Sequence, residues 1–147
     1  IQVFNDYFEI TKEDTVLQQA SISFDTSIEE IFPIIASGGI LLVSKENKDF
    51  DLLLRDCEKH NVSLLSTNPY VVGYLNEFSN NYNLSIRKLI SGGDVLKKEQ
   101  INQLLDKEYD IYNTYGPTES TVCITYHKVE ELTNSIPIGK PISNKSV

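Results

Sequence analysis

A short segment near the end of the chain carries residue types that could do chemistry: residues 113–119 read Asn-Thr-Tyr-Gly-Pro-Thr-Glu. Gly116 permits backbone angles that other residues avoid and the following proline fixes its own, so a sharp turn is expected. Such a turn can present Tyr115 as a flat aromatic face, Thr118 as a hydrogen-bond donor to phosphate and Glu119 as an oxygen ligand for Mg²⁺. On these residues alone, a solvated turn with an aromatic plug is the favoured interpretation.

Three other polar or glycine-rich segments interrupt the chain in a similar way. Residues 24–27 read Phe-Asp-Thr-Ser, residues 66–68 read Ser-Thr-Asn, and residues 91–94 read Ser-Gly-Gly-Asp. Each is expected to lie beyond the carboxyl end of a predicted strand. In open α/β sheets, ligands bind outside these strand ends.

The elements that must position these segments follow from hydrophobic periodicity. Short apolar runs predict strands over 15–20, 40–43, 62–66, 87–90, 109–113 and 121–126. Longer amphipathic runs predict helices over 27–36, from Asp49 or Asp51 to His60, over 70–78 and over 97–107. Alternation of strand and helix predicts an α/β fold with layered, mostly parallel strands joined by crossover helices.

The helix predicted over 27–36 has the most detailed signals. Ser27 and Glu30 have the spacing of a capping box, and Gly38 with Gly39 supplies a stop. Pro33 inside the run is expected to kink or shorten it. One helix face carries the apolar residues Ile28, Ile31, Phe32 and Ile35.

Composition excludes several classes of function. The formal net charge of −8 argues against nucleic acid as a main partner, because phosphate binding needs a basic face. No apolar run is long enough to span a bilayer, so no membrane partner is expected. The two cysteines, Cys57 and Cys123, lack the spacing of a metal site and fit a reduced cytoplasmic setting. The two isolated histidines are interpreted as surface or helix-end residues.

Four motifs in order resemble those of one known family. The segment at residues 113–119 is similar to the signature of adenylate-forming enzymes, in particular the amino-acid-activating adenylation domains of nonribosomal peptide synthetases. Residues 24–27 resemble that family's Phe-Asp-x-Ser element, residues 89–94 its glycine turn beside adenine, and residues 136–141 its Pro-Ile-Gly-x-Pro segment. The resemblance covers essentially the whole chain.

The resemblance implies a reaction and a set of residues. A substrate carboxylate attacks the α-phosphate of ATP, which gives an aminoacyl-adenylate and pyrophosphate, and the acyl group then passes to the phosphopantetheine thiol of a carrier protein. Thr118 and Glu119 are the implied catalytic residues, with Glu119 also holding Mg²⁺. The implied nucleotide-binding residues are Gly93, Asp94, Asn113, Thr114, Tyr115, Gly116 and Thr118.

The resemblance also implies a pocket for an amino acid. Asp25 would bind the α-ammonium group, unless it only caps the helix that follows. The implied side-chain pocket is lined by Thr26, Glu29, Ser66, Ile90, Gly92, Thr114, Val122 and Cys123. An ionised Glu29 is costly in a pocket unless a cation pairs with it, so lysine is the first predicted substrate and ornithine the second. A surface position beside Glu30 is the alternative for Glu29.

Residues 1–147 are interpreted as one fragment of the large N-terminal subdomain of such a domain. The family's phosphate loop would precede it and the mobile C-terminal domain would follow it, so the fragment alone is expected to be inactive. Any dimer of the excised chain is interpreted as an artefact of exposed apolar surface. A D-alanine–carrier-protein ligase, an acyl-CoA synthetase and a non-catalytic α/β binding module remain alternatives.

Overall fold

A computed structural model describes residues 1–44, 49–107, 109–120 and 122–143. One sheet has the strand order β2–β1–β3–β4–β5–β6–β7. The strands are β1 (Thr15–Gln18), β2 (Ile40–Val43), β3 (Leu64–Thr67), β4 (Lys88–Ser91), β5 (Asp110–Tyr115), β6 (Thr125–Lys128) and β7 (Lys140–Pro141). The α-helices are α1 (Gln2–Phe8), α2 (Thr26–Ser37), α3 (Phe50–Lys59) and α4 (Pro69–Phe78).

The sheet is mostly parallel, which confirms the predicted α/β class. Strands β1 to β5 pair in parallel, whereas β6 and β7 run antiparallel to their neighbours. The strand predicted over 121–126 is shifted to Thr125–Lys128, and Thr121 lies outside the described residues. Because β6 turns back from β5, the segment that joins them begins at the carboxyl edge of the parallel strands.

Helices cover both faces of the sheet because successive strand residues point to opposite sides. On one face α3 and α4 pack on strand residues such as Leu17, Leu65 and Leu89. On the other face α1 and α2 pack on Val16 and Leu64 through residues that include Phe8 and Ile34. The two clusters place the hydrophobic core on either side of strands β1, β3, β4 and β5.

Side-chain caps fix the starts of two helices where the sequence predicts them. Asp49 accepts hydrogen bonds from the backbone N–H groups of Asp51 and Leu52 at 3.0 and 3.2 Å. Asn68 accepts from the two N–H groups that follow Pro69, also at 3.0 and 3.2 Å. Each cap satisfies donors that have no partner inside the helix.

Helix α2 differs from its prediction in two ways. The capping box is wrong: the Ser27 hydroxyl donates to the carbonyl of Phe24, and the Glu30 carboxylate binds elsewhere. The apolar side chains Ile28, Phe32 and Ile35 are exposed, while the inward face carries Glu29, Glu30, Pro33 and Ile34. Pro33 lies inside a helix of 12 residues and does not end it.

The helix predicted over 97–107 is wrong. A single 3₁₀ turn spans Lys98–Gln100, and turns continue to residue 107. The Asn76 side chain from α4 accepts the backbone N–H of Gln103 at 2.8 Å and donates to the carbonyl of Glu99 at 3.2 Å. These bonds take backbone groups that a regular helix would pair internally.

The first helix, α1, was not predicted from the sequence. It begins at Gln2 and has no side-chain cap, so it lacks the usual start signal. Its aromatic residues hold it in place, since Phe8 lies 5.0 Å from the ring of Tyr112 and 4.9 Å from that of Tyr126. Within the described ranges, no helix is long and apolar enough to cross a membrane.

Candidate functional site

The carboxyl ends of β3, β4 and β5 lie side by side, and this brings the polar segments together. Thr67 pairs with Ser91, and Ser91 pairs with Asn113. The backbone N–H of Gly92 donates to the carbonyl of Thr67 at 3.0 Å, and the Thr114 hydroxyl donates to that of Ser91 at 3.2 Å. The segments that follow these strands therefore share one edge, as the parallel sheet predicts.

One cavity of about 250 Å³, the β4–β5 cavity, lies between two of these segments. Six predicted nucleotide-binding residues line it together with apolar side chains of the segment around residues 136–138. The six residues are Gly93, Asp94, Asn113, Thr114, Tyr115 and Gly116. The Asn113 amide donates to the carbonyl of Pro137 at 2.9 Å and ties that segment to the sheet. Three of the four motifs thus form one apolar slot with polar ends.

Glycine is required at two points around this slot. A Cβ atom on Gly116 would lie 2.3 Å from the carbonyl oxygen of Val122, so the chain crosses itself too closely for any side chain. Gly93 has φ 82°, in the left-handed region that favours glycine. The Tyr115 ring is half exposed at the opening of the cavity, where a planar ligand can stack on it.

Thr118 and Glu119 lie on the loop that follows the Gly-Pro turn. They belong to a short 3₁₀ turn, Thr118–Ser120, and both are exposed. No cluster of three or more potential metal ligands occurs in the described residues. A single exposed carboxylate fits the way Mg²⁺ binds, because that ion takes few protein ligands and fills its shell with water and phosphate oxygens.

A second cavity, of about 300 Å³, lies between α2 and the loop before β6 and is called the α2–β6 cavity. It is lined by three predicted substrate-pocket residues, Glu29, Val122 and Cys123, and by apolar groups of α1 and α2. Val122 has φ 69°, a left-handed conformation that is strained for a β-branched residue. Local strain of this kind is common where a loop is shaped around a ligand.

The Glu29 carboxyl group is buried rather than on the surface. It accepts a hydrogen bond from the Ser66 hydroxyl at 2.6 Å, and the Cys123 thiol lies 3.6 Å away. Burial raises the pKa of Glu29, the hydrogen bonds oppose that effect, and the charge of Asp25 adds to it. The carboxyl group is therefore biased toward its neutral form.

The remaining predicted pocket residues are divided between the surroundings of Glu29, the core and another cavity. Ser66 contacts Glu29 directly, whereas Ile90 is buried in the same core cluster as Cys123 and lines none of the three cavities. Thr26 and Gly92 line a third cavity of about 410 Å³, the β1–β4 cavity. Gly92 must be a glycine there, since a Cβ would lie 2.7 Å from the Thr114 hydroxyl.

Asp25 occupies the N-cap position of α2 but makes no capping hydrogen bond. The alternative that Asp25 only caps the helix is therefore wrong. Its side chain is partly exposed and lines none of the three site cavities. A carboxylate at this position can bind an ammonium group through charge-assisted hydrogen bonds.

Glu30 is a functional candidate that the sequence did not reveal. Its side chain is fully buried at the β1–β4 cavity. Burial raises its pKa to about 7, although hydrogen bonds from Ala20, Gln19 and Gln18 oppose the effect. Its spacing from Ser27 matched a capping box, and no local signal distinguished that role from the observed one.

A larger cavity, of about 620 Å³, lies between α1 and strands β6 and β7. It is lined by side chains that include Tyr7, His127 and Lys140, and it contains none of the predicted site residues. Size alone therefore does not locate the site. Eleven of the predicted site residues line the β1–β4, α2–β6 and β4–β5 cavities, whereas Asp25, Ser66, Ile90, Thr118 and Glu119 line none of the three.

Comparison with known proteins identifies the family. The sequence model of a protein family described as "AMP-binding enzyme" matches residues 1–147. The chain belongs to the AMP-binding enzyme family. Bacitracin synthase 2 of Bacillus licheniformis is 41% identical over 155 residues, which cover 100% of this chain and 6% of that protein. Surfactin synthase subunit 1 of Bacillus subtilis (strain 168) is 34% identical over 144 residues, which cover 97% and 4%.

Solved structures of AMP-binding relatives share the fold. The Vibrio cholerae adenylation domain AlmE, in complex with glycyl-adenosine-5'-phosphate, has a TM-score of 0.84 at 26% identity over 95% of this chain and 28% of its own. The nonribosomal peptide synthetase FmoA3 has a TM-score of 0.90 at 20% identity over 98% and 17%. The resemblance to peptide-synthetase adenylation domains is confirmed, and the chain spans only a small part of these relatives.

Proposed function

We propose that this chain forms part of an amino-acid adenylation domain in a longer enzyme. The parent would use ATP to convert an amino acid to its aminoacyl-adenylate and would load it onto a carrier protein. The observation that carries this proposal is the convergence of the motif segments on three adjoining cavities at one edge of the sheet. Membership of the AMP-binding family supports it.

The proposed roles follow from the chemistry of each group. Asp25 binds the α-ammonium group of the amino acid, and Tyr115 stacks against adenine in the β4–β5 cavity. Thr118 donates to a phosphate oxygen, and Glu119 holds Mg²⁺, which neutralises charge on the triphosphate. The work of these residues is to position the reactants and to balance developing charge.

The substrate side chain is proposed to be cationic, with lysine before ornithine. Glu29 is the acidic group of the α2–β6 cavity, and most of the other groups there are apolar or small. A substrate ammonium would stabilise the ionised carboxylate, which burial disfavours. The cavity of about 300 Å³ is large enough to hold a long aliphatic stem.

A carrier protein with a phosphopantetheine thiol is the proposed partner, and the cytoplasm the proposed location. The structure of PA1221, a relative that contains adenylation and carrier (PCP) domains, supports the choice of partner. The phosphate loop and the mobile C-terminal domain are proposed to lie in other parts of the parent protein. The 147-residue chain alone is proposed to be inactive.

The test is amino-acid-dependent ATP–pyrophosphate exchange by the intact parent enzyme. Lysine, ornithine, glutamine and leucine are compared at equal concentration. We expect lysine or ornithine to give the highest kcat/KM, because only they can pair with Glu29. A preference for leucine would contradict the cationic pocket, and no exchange with any amino acid would contradict adenylation itself.

A further inference from the structure

Glu30 and Glu29 are adjacent on α2, and both carboxyl groups are buried in different surroundings. Glu29 faces Ser66 and Cys123 in the α2–β6 cavity. Glu30 instead faces the chain that leaves β1, at the β1–β4 cavity. The proposed function assigns a role to Glu29 and leaves Glu30 unexplained.

The Glu30 carboxylate accepts hydrogen bonds from the last residue of β1 and from the two residues that follow it. It accepts from the backbone N–H of Gln19 at 3.2 Å and from that of Ala20 at 3.0 Å. The Gln18 side-chain amide donates to it at 3.3 Å and also donates to the Ala20 carbonyl. Buried backbone N–H groups need such acceptors, since an unpaired one is costly.

Gln19 and Ala20, which donate their backbone N–H groups to Glu30, begin the segment that ends at Asp25. The Gln19 side chain donates to the Ser66 carbonyl at 2.8 Å, which joins the same segment to the end of β3. Residues 21–24 are then exposed and connect directly to Asp25. At the far end, the Ser27 hydroxyl donates to the carbonyl of Phe24 at 2.7 Å. The segment is thus held by Glu30 at one end and by the start of α2 at the other.

We propose that Glu30 is a positioning residue, which fixes segment 19–25 against α2 and thereby places Asp25 for the α-ammonium group of the substrate. This inference rests on the proposed role of Asp25. The Glu30 carboxylate touches neither substrate nor nucleotide in this role. It acts through the backbone, so its removal affects recognition of the amine more than recognition of ATP.

The test is Glu30→Gln in the intact parent enzyme, with lysine and 6-aminohexanoic acid as the two probes. Glutamine has nearly the same size, but its NH₂ group would face backbone donors. We expect KM for lysine to rise by about tenfold or more, as for the loss of a hydrogen bond to a charged group. KM for ATP should stay within about twofold, since the groups around the β4–β5 cavity are unchanged. 6-Aminohexanoic acid lacks the α-amine, so its KM should change little.

A merely structural role predicts a different result. In that case Glu30→Gln would lower the melting temperature and change both probes and ATP by similar factors, which would overturn the proposal. Glu30→Asp keeps the charge and retracts it by one methylene. It should give a smaller rise in KM for lysine, and it replaces Glu30→Gln if that variant does not fold.

Deuterium exchange of the substrate-free parent enzyme tests the inference independently of the substrate. Peptides that cover residues 19–26 should exchange faster in Glu30→Gln than in the wild type, while peptides of α3 and α4 stay unchanged. Unchanged exchange in 19–26 would overturn the positioning role even if lysine is the substrate. Faster exchange in Glu30→Gln, in a parent enzyme whose wild type rejects lysine, would retain that role and contradict only the proposed substrate.

Discussion

Glu29→Gln is the substitution that most directly tests the chemistry of the α2–β6 cavity. Glutamine keeps the size of the side chain and a hydrogen-bond acceptor for the Ser66 hydroxyl, which lies 2.6 Å from Glu29. Unlike the glutamate carboxyl group, the glutamine amide cannot ionise to a negatively charged carboxylate. The substitution therefore separates charge from packing, which an alanine would not.

The expected magnitude follows from the burial of the group. A hydrogen bond to a charged partner contributes about 1.5–3 kcal/mol, which corresponds to about 12–150-fold in affinity. Burial raises the pKa of Glu29, so part of this energy is used to ionise the carboxyl group when a cation binds. We therefore expect kcat/KM for lysine to fall by about tenfold near neutral pH.

The pH dependence has a definite sign. The raised pKa favours the neutral acid, and a cation pairs with the ionised form, so wild-type kcat/KM for lysine should rise with pH. The ε-ammonium group of lysine stays charged over this range because its pKa is about 10.4. Glu29→Gln should have a flatter profile, since it removes the carboxyl group whose ionised form pairs with the cation.

The assay is ATP–pyrophosphate exchange by the intact parent enzyme, with lysine and leucine as substrates at about pH 6.5 and about pH 8.5, where the ε-ammonium group of lysine stays charged. Glu13→Gln is the matched control, because that glutamate side chain is 81% exposed and does not line the α2–β6 cavity. It should change nothing. Equal kcat/KM for lysine in Glu29→Gln and the wild type at both pH values would refute the reasoning.

Three further predictions concern the stability of the fold, the loop after β5 and the accessibility of a buried thiol. Burial raises the pKa of Asp14, but hydrogen bonds from Arg87 and others outweigh it and lower the pKa to about 2. Asp14→Asn in the intact domain should therefore cost about 2 kcal/mol of unfolding free energy by urea titration above about pH 4. This difference should vanish as the pH falls toward 2, and equal stability at pH 7 would contradict the prediction. Gly116→Ala should lower exchange activity at least about 100-fold, because its Cβ would lie 2.3 Å from the Val122 carbonyl and would displace the loop; activity within threefold would show that the loop tolerates the shift. Cys57 is buried and its pKa is raised to about 12, so a thiol reagent should modify it only after urea unfolding. Rapid modification of native Cys57 would mean that α3 opens readily.

Much of the fold could be predicted because local signals and packing agree. Asp49 caps α3 as its side-chain chemistry predicts, α4 begins within one residue of the predicted start, and the apolar face of α3 points inward. The motif segments lie at the carboxyl edge because parallel strands bring all such ends to one side. These features depend on residues close together in sequence or on a general rule of sheet topology.

Other features could not be predicted because they depend on partners that are distant in sequence. Residues 97–107 have a helical pattern, but Asn76 from α4 takes their backbone groups. Helix α1 has no start signal and is held by rings that follow more than 100 residues later. Local propensity is overridden where such contacts supply more stabilisation.

The sequence by itself determined the α/β class, the family and the edge of the sheet where the site lies. Only the tertiary structure decided where the side chains of the two glutamates on α2 lie. Periodicity shows which side chains share a helix face, but not which face meets the sheet. The structure turns Ile28 and Phe32 outward and buries Glu29 and Glu30, because partners up to 94 residues away satisfy their carboxyl groups.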